Sequence, residues 1–557
     1  MSNSLKIFCK NTGRYITING GDTLLQIYSQ VKDELPFTPI CARVNFKNED
    51  MLFPVFAPKM VEFLPLSSSS AQRTYTRSLC MMLYKAVTTL LPGYRLRIAH
   101  SVSHGYFCRI TGHEKLNLEE WVPKLKAKME ELVAMNLTFE RKERLTDDAI
   151  NIFTRQGMDD KVKLLRTVQE LYTVYYRLDG ICDSYYGPLA PSTGTVGVFN
   201  LITYKDGLLL LGPDSANPSV PATPIAQEKM FDAFTDYVKF NHIVGVSNVG
   251  ELNEAVMHGH EAMLINVSEA LHNNRIATIA DDIKRRFMEG GARIVLIAGP
   301  SSSGKTTFTK RLAIQLMTNL LEPQMISLDN YFVDREHTPR DENGELDYES
   351  LYSLDLKQFN ADLNALLRHE EVEIPYYNFA TGVREYRGDR MRLNPNSILL
   401  IEGIHGLNPK LTEQVPDKHK YRVYVSALTT ISIDDHNWVP TTDNRLLRRI
   451  IRDNKYRGTS AVDTIKRWPS VRRGEEKWIF PYQENADATF NSSLLFELGV
   501  LKDRGEEVLK HVPHNIPEYA EAARLRTFLG YFHSIGEQYV PSTSLLREFL
   551  GGSSFKY

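Results

Sequence analysis

Cysteine is scarce: Cys9, Cys41, Cys80, Cys108 and Cys182 are the only five in 557 residues, and no two form a CxxC pair. An odd number of scattered thiols excludes a disulfide frame and fits a reducing compartment, so a cytoplasmic protein is expected. No apolar run reaches the ~18 residues a membrane helix needs. The opening MSNSLKIFCK lacks the apolar core of a signal peptide, and no membrane role is expected. Neither sign of charge dominates. Lys and Arg number 66 against 68 Asp and Glu, a net −2, which excludes a global electrostatic footprint for nucleic acid or anionic lipid. Repeats and low-complexity tracts are also missing. With 42% hydrophobic and 24% charged residues, the chain is globular. It is too long for one core, so two or three domains are expected.

All five cysteines lie in the first third, which suggests separate origins for the two halves. Residues 1–66 read as a small α+β unit, with hairpin-like alternation at Leu5–Cys9 and Arg14–Ile18. A helix capped by Asp22 follows, then short strands at Cys41–Val44 and Val61–Leu64. Residues 67–225 read as a second α+β domain. Helical spacing at Tyr75–Leu90 and Leu116–Leu137 flanks strand texture at Tyr94–Ile110, and a hairpin joins Val196–Tyr204 to Leu208–Leu211. Residues 226–290 read as a helical connector. From 291 to 490 buried strands alternate with helices, which implies a parallel α/β sheet with ligands at its carboxyl ends. Residues 491–557 read as a helical extension.

The strongest local signal is Gly299-Pro-Ser-Ser-Ser-Gly304-Lys305-Thr306, which fits G-x-x-x-x-G-K-[ST] between a strand and a helix. Such a loop turns its N–H groups inward on a phosphate chain, and the helix dipole adds positive potential. Gly299, Ser301, Ser302, Ser303, Gly304, Lys305, Thr306 and Thr307 are therefore the candidate ATP-binding residues. Lys305 reaches the terminal phosphates and the Thr306 hydroxyl ligates Mg²⁺. Ile398-Leu-Leu-Ile-Glu402 is a buried strand ending in a carboxylate, the candidate on the metal side. Asp329 ends the preceding strand, where it can serve as general base for a hydroxyl acceptor.

Ser327-Leu-Asp-Asn-Tyr331, Thr338-Pro-Arg-Asp-Glu-Asn-Gly344, Pro375-Tyr-Tyr-Asn-Phe379 and Glu402-Gly-Ile404 resemble the uridine kinase/phosphoribulokinase family over about 290–490. The resemblance implies an α/β P-loop kinase that transfers the γ-phosphate of ATP, with Mg²⁺, to a nucleoside 5′-hydroxyl. It makes Asp329 the catalytic base and puts Glu349 on the ribose hydroxyls. Tyr377 and Phe379 pack on the base. Arg449, Arg452 and Arg457 become lid arginines, and Asp487 a nucleotide contact. Two departures stand out: Gly382 occupies a base-reading histidine position, and Glu349 replaces an aspartate. The bare position at Gly382 suggests a permissive base pocket, with Arg384 as the next candidate reader. Two other readings stay open: a kinase of another small sugar hydroxyl, as in phosphoribulokinases, and an RNA- or nucleotide-sensing regulator with weak ATPase activity.

The first 66 residues resemble a TGS domain, the β-grasp module of threonyl-tRNA synthetases and some GTPases. Leu90-Leu-Pro92, Gly105-Tyr-Phe107 and Gly187-Pro188 within 67–225 resemble the synthetase's second additional, editing domain. The metal-ligand positions of that domain fall on Arg77, Met81, Tyr185 and Leu189, none of them a ligand, so a degenerate site without zinc is expected. His100 and His104 are four residues apart in a strand-like run, roughly 13 Å, too far to share one metal. RNA or nucleotide contact through this half, and a homo-oligomer, remain open as partners.

Overall fold

The computed structural model describes residues 4–342 and 344–556; Asn343, within the Thr338–Gly344 motif, lies outside the described residues. The back half is organised by five strands: β1 (Ile294–Ala298), β2 (Glu322–Ser327), β3 (Ser397–Glu402), β4 (Lys420–Ser426) and β5 (Ala488–Asn491). They lie in the order β2-β3-β1-β4-β5, and every neighbouring pair is parallel. A strand covered on both faces must be apolar throughout, and all five residues of β1 are buried. Register sets Ile297 beside Glu402 and Ser327 beside Glu402. The carboxyl ends of β1, β2 and β3 therefore open at one edge, where α/β sheets take ligands.

The stretches expected as connector and extension belong to this unit's own core. Leu264, Ile276 and Ile283 of the helix Glu261–Met288 share one hydrophobic cluster with Val295, Phe308 and Val423, and so do Leu525, Phe528 and Phe549 of the tail. A long amphipathic helix needs an apolar face to cover, and the sheet supplies it. Two hairpins were not expected. Val372–Asn378 pairs with Val383–Met391, and Ser432–Asp434 with Asn437–Trp438. The strand Val383–Met391 is almost wholly solvent-facing and charged, so it carries no hydrophobic period to read.

In the front half, residues 4–63 form a mixed five-stranded sheet. In space Arg14–Asn19 is followed by Ser4–Cys9, Met60–Phe63, Cys41–Val44 and Lys47–Asp50. Its helix, Leu24–Ser29, is capped by Thr23 in a reciprocal pair with Gln26, one residue beyond the expected Asp22. Beyond the helix Ser69–Leu90 lie a four-stranded and a three-stranded sheet. His100 is buried, stacked on Phe234 at 3.5 Å between ring centroids. His104 is not in the strand; it sits at positive φ in the turn from Arg95–Val102 to Gly105–Thr111. No described helix is long and apolar enough to cross a membrane.

The halves are joined by a buried charge. Lys161 Nζ lies 2.8 Å from Asp183 Oδ1 in the front half and 3.0 Å from Asp434 Oδ2 in the back half. His436 Nδ1 is 2.7 Å from Asp183 Oδ2. Burial opposes the charge on Lys161, but Asp183 and Asp434 hold its pKa above the usual lysine value. Around this cluster Ile98 N–H donates to the Asp435 carbonyl at 2.7 Å, and Trp438 packs on Tyr106 with centroids 4.4 Å apart. Replacing Lys161 by Met would leave two carboxylates buried without their cation, at a cost of about 3–5 kcal/mol. Urea unfolding at neutral pH should show that loss; an unchanged midpoint would contradict the assignment.

Candidate active site

The loop from β1 into α1 (Lys305–Thr318) carries the expected phosphate cradle. Backbone N–H groups of Gly304, Lys305 and Thr306 have no protein acceptor among the described residues. They are the orphan donors that any helix start leaves, and here they converge with the helix dipole. The hydroxyls of Ser302 and Ser303 are also buried without a partner. Lys305 folds back so that Nζ donates to the Pro300 carbonyl at 3.2 Å. Burial lowers the pKa of Lys305, while Glu402, Asp329 and Glu548 push it the other way.

Thr306 Oγ1 donates to both oxygens of Glu402, at 3.1 and 3.2 Å. A hydroxyl beside a carboxylate at the mouth of a phosphate loop is an all-oxygen donor pair that suits Mg²⁺. Burial raises the Glu402 pKa to about 7; Asp329 and Glu548 add to the rise and Lys305 opposes it. Asp329, at the end of β2, has its pKa raised by loss of surrounding solvent and lowered by Lys305, Arg457 and Arg452; part of its surface still meets water, which limits the rise. Glu349 is raised to about 7 by burial and by Glu475, with Arg449 and Lys305 opposing. The sequence-expected Lys305, Asp329, Glu349, Glu402, Arg449, Arg452 and Arg457 are thus linked through one another's charges, and Thr306 joins them through its hydrogen bond to Glu402.

The helix α2 (Thr441–Arg457) divides its arginines by depth. Arg445 and Arg448 are buried and brace the loop. Arg445 Nε donates to the Ser301 carbonyl at 2.9 Å, and Arg448 pairs with Glu497 at 2.7 Å. Arg449 Nη1 donates to Ser301 Oγ at 2.9 Å. Asp453 gathers Arg449, Arg452 and Arg457 at 3.3, 2.8 and 3.6 Å. Two carboxylates that sequence reasoning missed also reach the loop. Glu475, from α3 (Ala461–Trp478), accepts the Ser301 N–H at 3.0 Å and pairs with Arg445 and with Arg472. Glu548, in the tail, accepts from Thr307 Oγ1 at 2.7 Å. A loop that draws in carboxylates at two places has the donor set an anionic phosphate chain requires.

The family model described as phosphoribulokinase / uridine kinase matches residues 294–494. Uridine kinases of Staphylococcus aureus strains JH9 and Newman are each 31% identical over 198 residues, 35% of this chain and 84% of the relative. The chain belongs to the phosphoribulokinase/uridine kinase family. Membership makes the back half a phosphotransferase with an alcohol acceptor that uses ATP and Mg²⁺. Among solved structures, a possible uridine kinase from Bacillus stearothermophilus is 17% identical, covering 39% of this chain and 98% of that one, with a TM-score of 0.26. D-glycerate 3-kinase from Cryptococcus neoformans var. grubii is 12% identical over 51% and 90%, with a TM-score of 0.23. Scores that low carry no argument.

On the acceptor side of this family member, Tyr377 is buried and Phe379 exposed, their rings 5.0 Å apart at a steep angle. Three expectations need correction. Asp487 immediately precedes β5 and lies level with Arg422 of β4 and with Leu296 in the middle of β1, short of the carboxyl edge that faces the loop. There it pairs with Arg286 at 2.9 Å and accepts the Arg422 N–H. Arg384 is engaged by Asp355 at 2.9 Å. The position above Gly382 is not open: its φ is +77°, and an added Cβ would stand 2.6 Å from Arg335 Nε. Arg335 also donates to the Phe379 carbonyl at 2.7 Å, so it fills the space a histidine would take.

The raised pKa of Glu402 has a sign that can be tested. A carboxyl whose folded pKa lies above its unfolded value adds stability at low pH and loses it as pH rises through about 7. Glu402→Gln should therefore stabilise the ligand-free protein at pH 8, by about 1–2 kcal/mol after allowance for solvent, and leave it little changed at pH 4. Urea titrations at both values decide this; a variant no more stable than wild type at pH 8 would contradict it.

Proposed function

We propose that the protein is a nucleoside kinase that transfers the γ-phosphate of ATP to a 5′-hydroxyl. The observation that carries this reading is the place of Asp329, in the turn two residues past the end of β2, where Ser327 lies beside Glu402 on the carboxyl edge that bears the phosphate loop. A hydroxyl is a poor nucleophile at neutral pH and needs a base. Asp329 takes the hydroxyl proton as the oxygen bonds to the γ-phosphorus and the bond to the ADP oxygen breaks. Its raised pKa favours accepting that proton. The loop N–H groups and Lys305 hold the phosphate chain, and Arg449 and Arg452 stabilise the charge in transfer. Thr306 and Glu402 would hold Mg²⁺, which supplies charge neutralisation when bound. Glu349 would orient the ribose hydroxyls, and Tyr377 with Phe379 the base.

The front half is read as a TGS-like unit followed by an editing-like domain without editing chemistry. The sheet of residues 4–63, with its outer hairpins flanking the Met60–Phe63 strand, supports the first part. Arg77, Met81, Tyr185 and Leu189, all buried and none suited to hold zinc, support the second.

Asp329→Asn keeps shape and loses the base. It should cut kcat by roughly 10²–10⁴-fold with the ATP KM within a few-fold of wild type. Lys305→Ala should cost about 3 kcal/mol or more in kcat/KM. Steady-state kinetics with ATP and nucleoside check both. A wild-type kcat with a raised nucleoside KM in Asp329→Asn would turn the catalytic role into a binding one.

A further inference from the structure

A cavity of about 480 Å³ lies where the front half meets the tail of the kinase unit. That size falls in the range of small-molecule sites, roughly 300–1,000 Å³. Its wall draws on the helix Ser69–Leu90, the strand Tyr172–Leu178, the turn at 184–188 and the tail helix α4 (Tyr519–Gly530). Tyr172, Tyr176, Tyr185, Tyr186 and Tyr531 make much of that wall aromatic. No residue of the phosphate loop lines it.

Arg77 is the group on this wall that lacks a counter-charge. It is 6% exposed and forms no ion pair with any described residue. Nε and Nη2 donate to the Pro188 carbonyl at 3.2 and 2.9 Å, and Nη2 also to Thr74 Oγ1 at 3.3 Å. Nη1 has no acceptor among the described residues. Burial lowers the Arg77 pKa to about 10. The neighbouring arginines are neutralised: Arg73 by Glu521 at 3.0 Å, Arg524 by Asp443 at 2.6 Å and Arg141 by Asp50 at 3.5 Å. The carboxylates on the wall do not serve Arg77. Asp50 is taken by Arg141 and the Tyr176 hydroxyl, Asp434 by Lys161 and Glu49 by Lys47 at 3.5 Å, while the fourth, Glu170, is exposed to solvent and forms no ion pair with Arg77. Gly187 lies flat against the guanidinium. At its φ of +143°, a Cβ would stand 2.8 Å from Arg77 Nη2, so the backbone there is bare where the cation needs room.

A buried cation without a partner is strongly unfavourable, and a buried charge is ordinarily paired. We propose that this cavity binds a small organic anion, a carboxylate or a phosphate monoester with an aromatic or apolar body, its charge on Arg77 and its body among the tyrosines. A guanidinium with Nη1 free to donate can take either oxyanion, and tyrosines offer ring faces to a planar body.

Isothermal titration calorimetry of the full chain with phenyl phosphate, phenylacetate and neutral 2-phenylethanol tests this. At least one anion should bind, with the neutral alcohol weaker by about tenfold or more; which anion binds separates the phosphate from the carboxylate source. Arg77→Met should weaken that binding by about tenfold or more while leaving the melting temperature of the unliganded protein unchanged or higher, since a buried charge is removed. Gly530→Leu provides a second arm: Gly530 lines the cavity and an added Cβ there meets nothing within 4 Å. That variant should fold normally and lose the anion. Three results would overturn the proposal: no anion binding at millimolar concentration, anion binding unaltered in both variants (which would place it in the phosphate loop), or a melting temperature lowered in Arg77→Met with anion binding intact.

Discussion

The constraint on which the kinase half depends is the set of backbone N–H groups exposed where β1 turns into α1. A helix start cannot satisfy its own first donors, and here Gly304, Lys305 and Thr306 present theirs to a cleft. The surroundings answer that positive end with paired charges. Glu475 takes the Ser301 N–H and is itself neutralised by Arg445 and Arg472. Glu548 takes the Thr307 hydroxyl. The loop's shape is thus held by groups drawn from α2, α3 and the tail, and the tail shares the core of the unit that carries the loop.

The second constraint runs from the front half into α2. The hairpin of Ser432–Asp434 and Asn437–Trp438 leads straight into α2, and Lys161, Asp183 and His436 hold it in a buried ionic cluster. Arg524 on α4 grips Asp443 in the first turn of the same helix at 2.6 Å. The helix that carries Arg449 and Arg452 is therefore anchored at its amino end to the front half and to the tail. The same α4 forms one wall of the cavity around Arg77.

Some of this was legible in the sequence because it is local. The phosphate loop is one contiguous run, Glu402 ends a buried apolar strand and Asp329 follows β2 by two residues, so their residue types and positions already place them at a ligand edge. Asp487 shows the limit of that rule. A carboxylate next to a strand lies near the site only if it follows the strand, and Asp487 precedes β5. Glu475 and Glu548 were invisible because each is separated from the loop residue it binds by more than 170 residues of chain. Gly382 reads as empty space in sequence, yet a side chain from elsewhere, Arg335, fills it. Lys161 looks like any surface lysine until three segments fold around it. The connector at 226–290 was misjudged because an amphipathic helix does not announce which core its apolar face will join.

The most direct test is phosphorus NMR of the purified protein with ATP and Mg²⁺, with and without a panel of nucleosides. The account predicts a phosphate-monoester resonance that appears only when a nucleoside is present, growing in step with ADP and absent in Asp329→Asn. Inorganic phosphate as the sole product, or no turnover with any nucleoside, would contradict it.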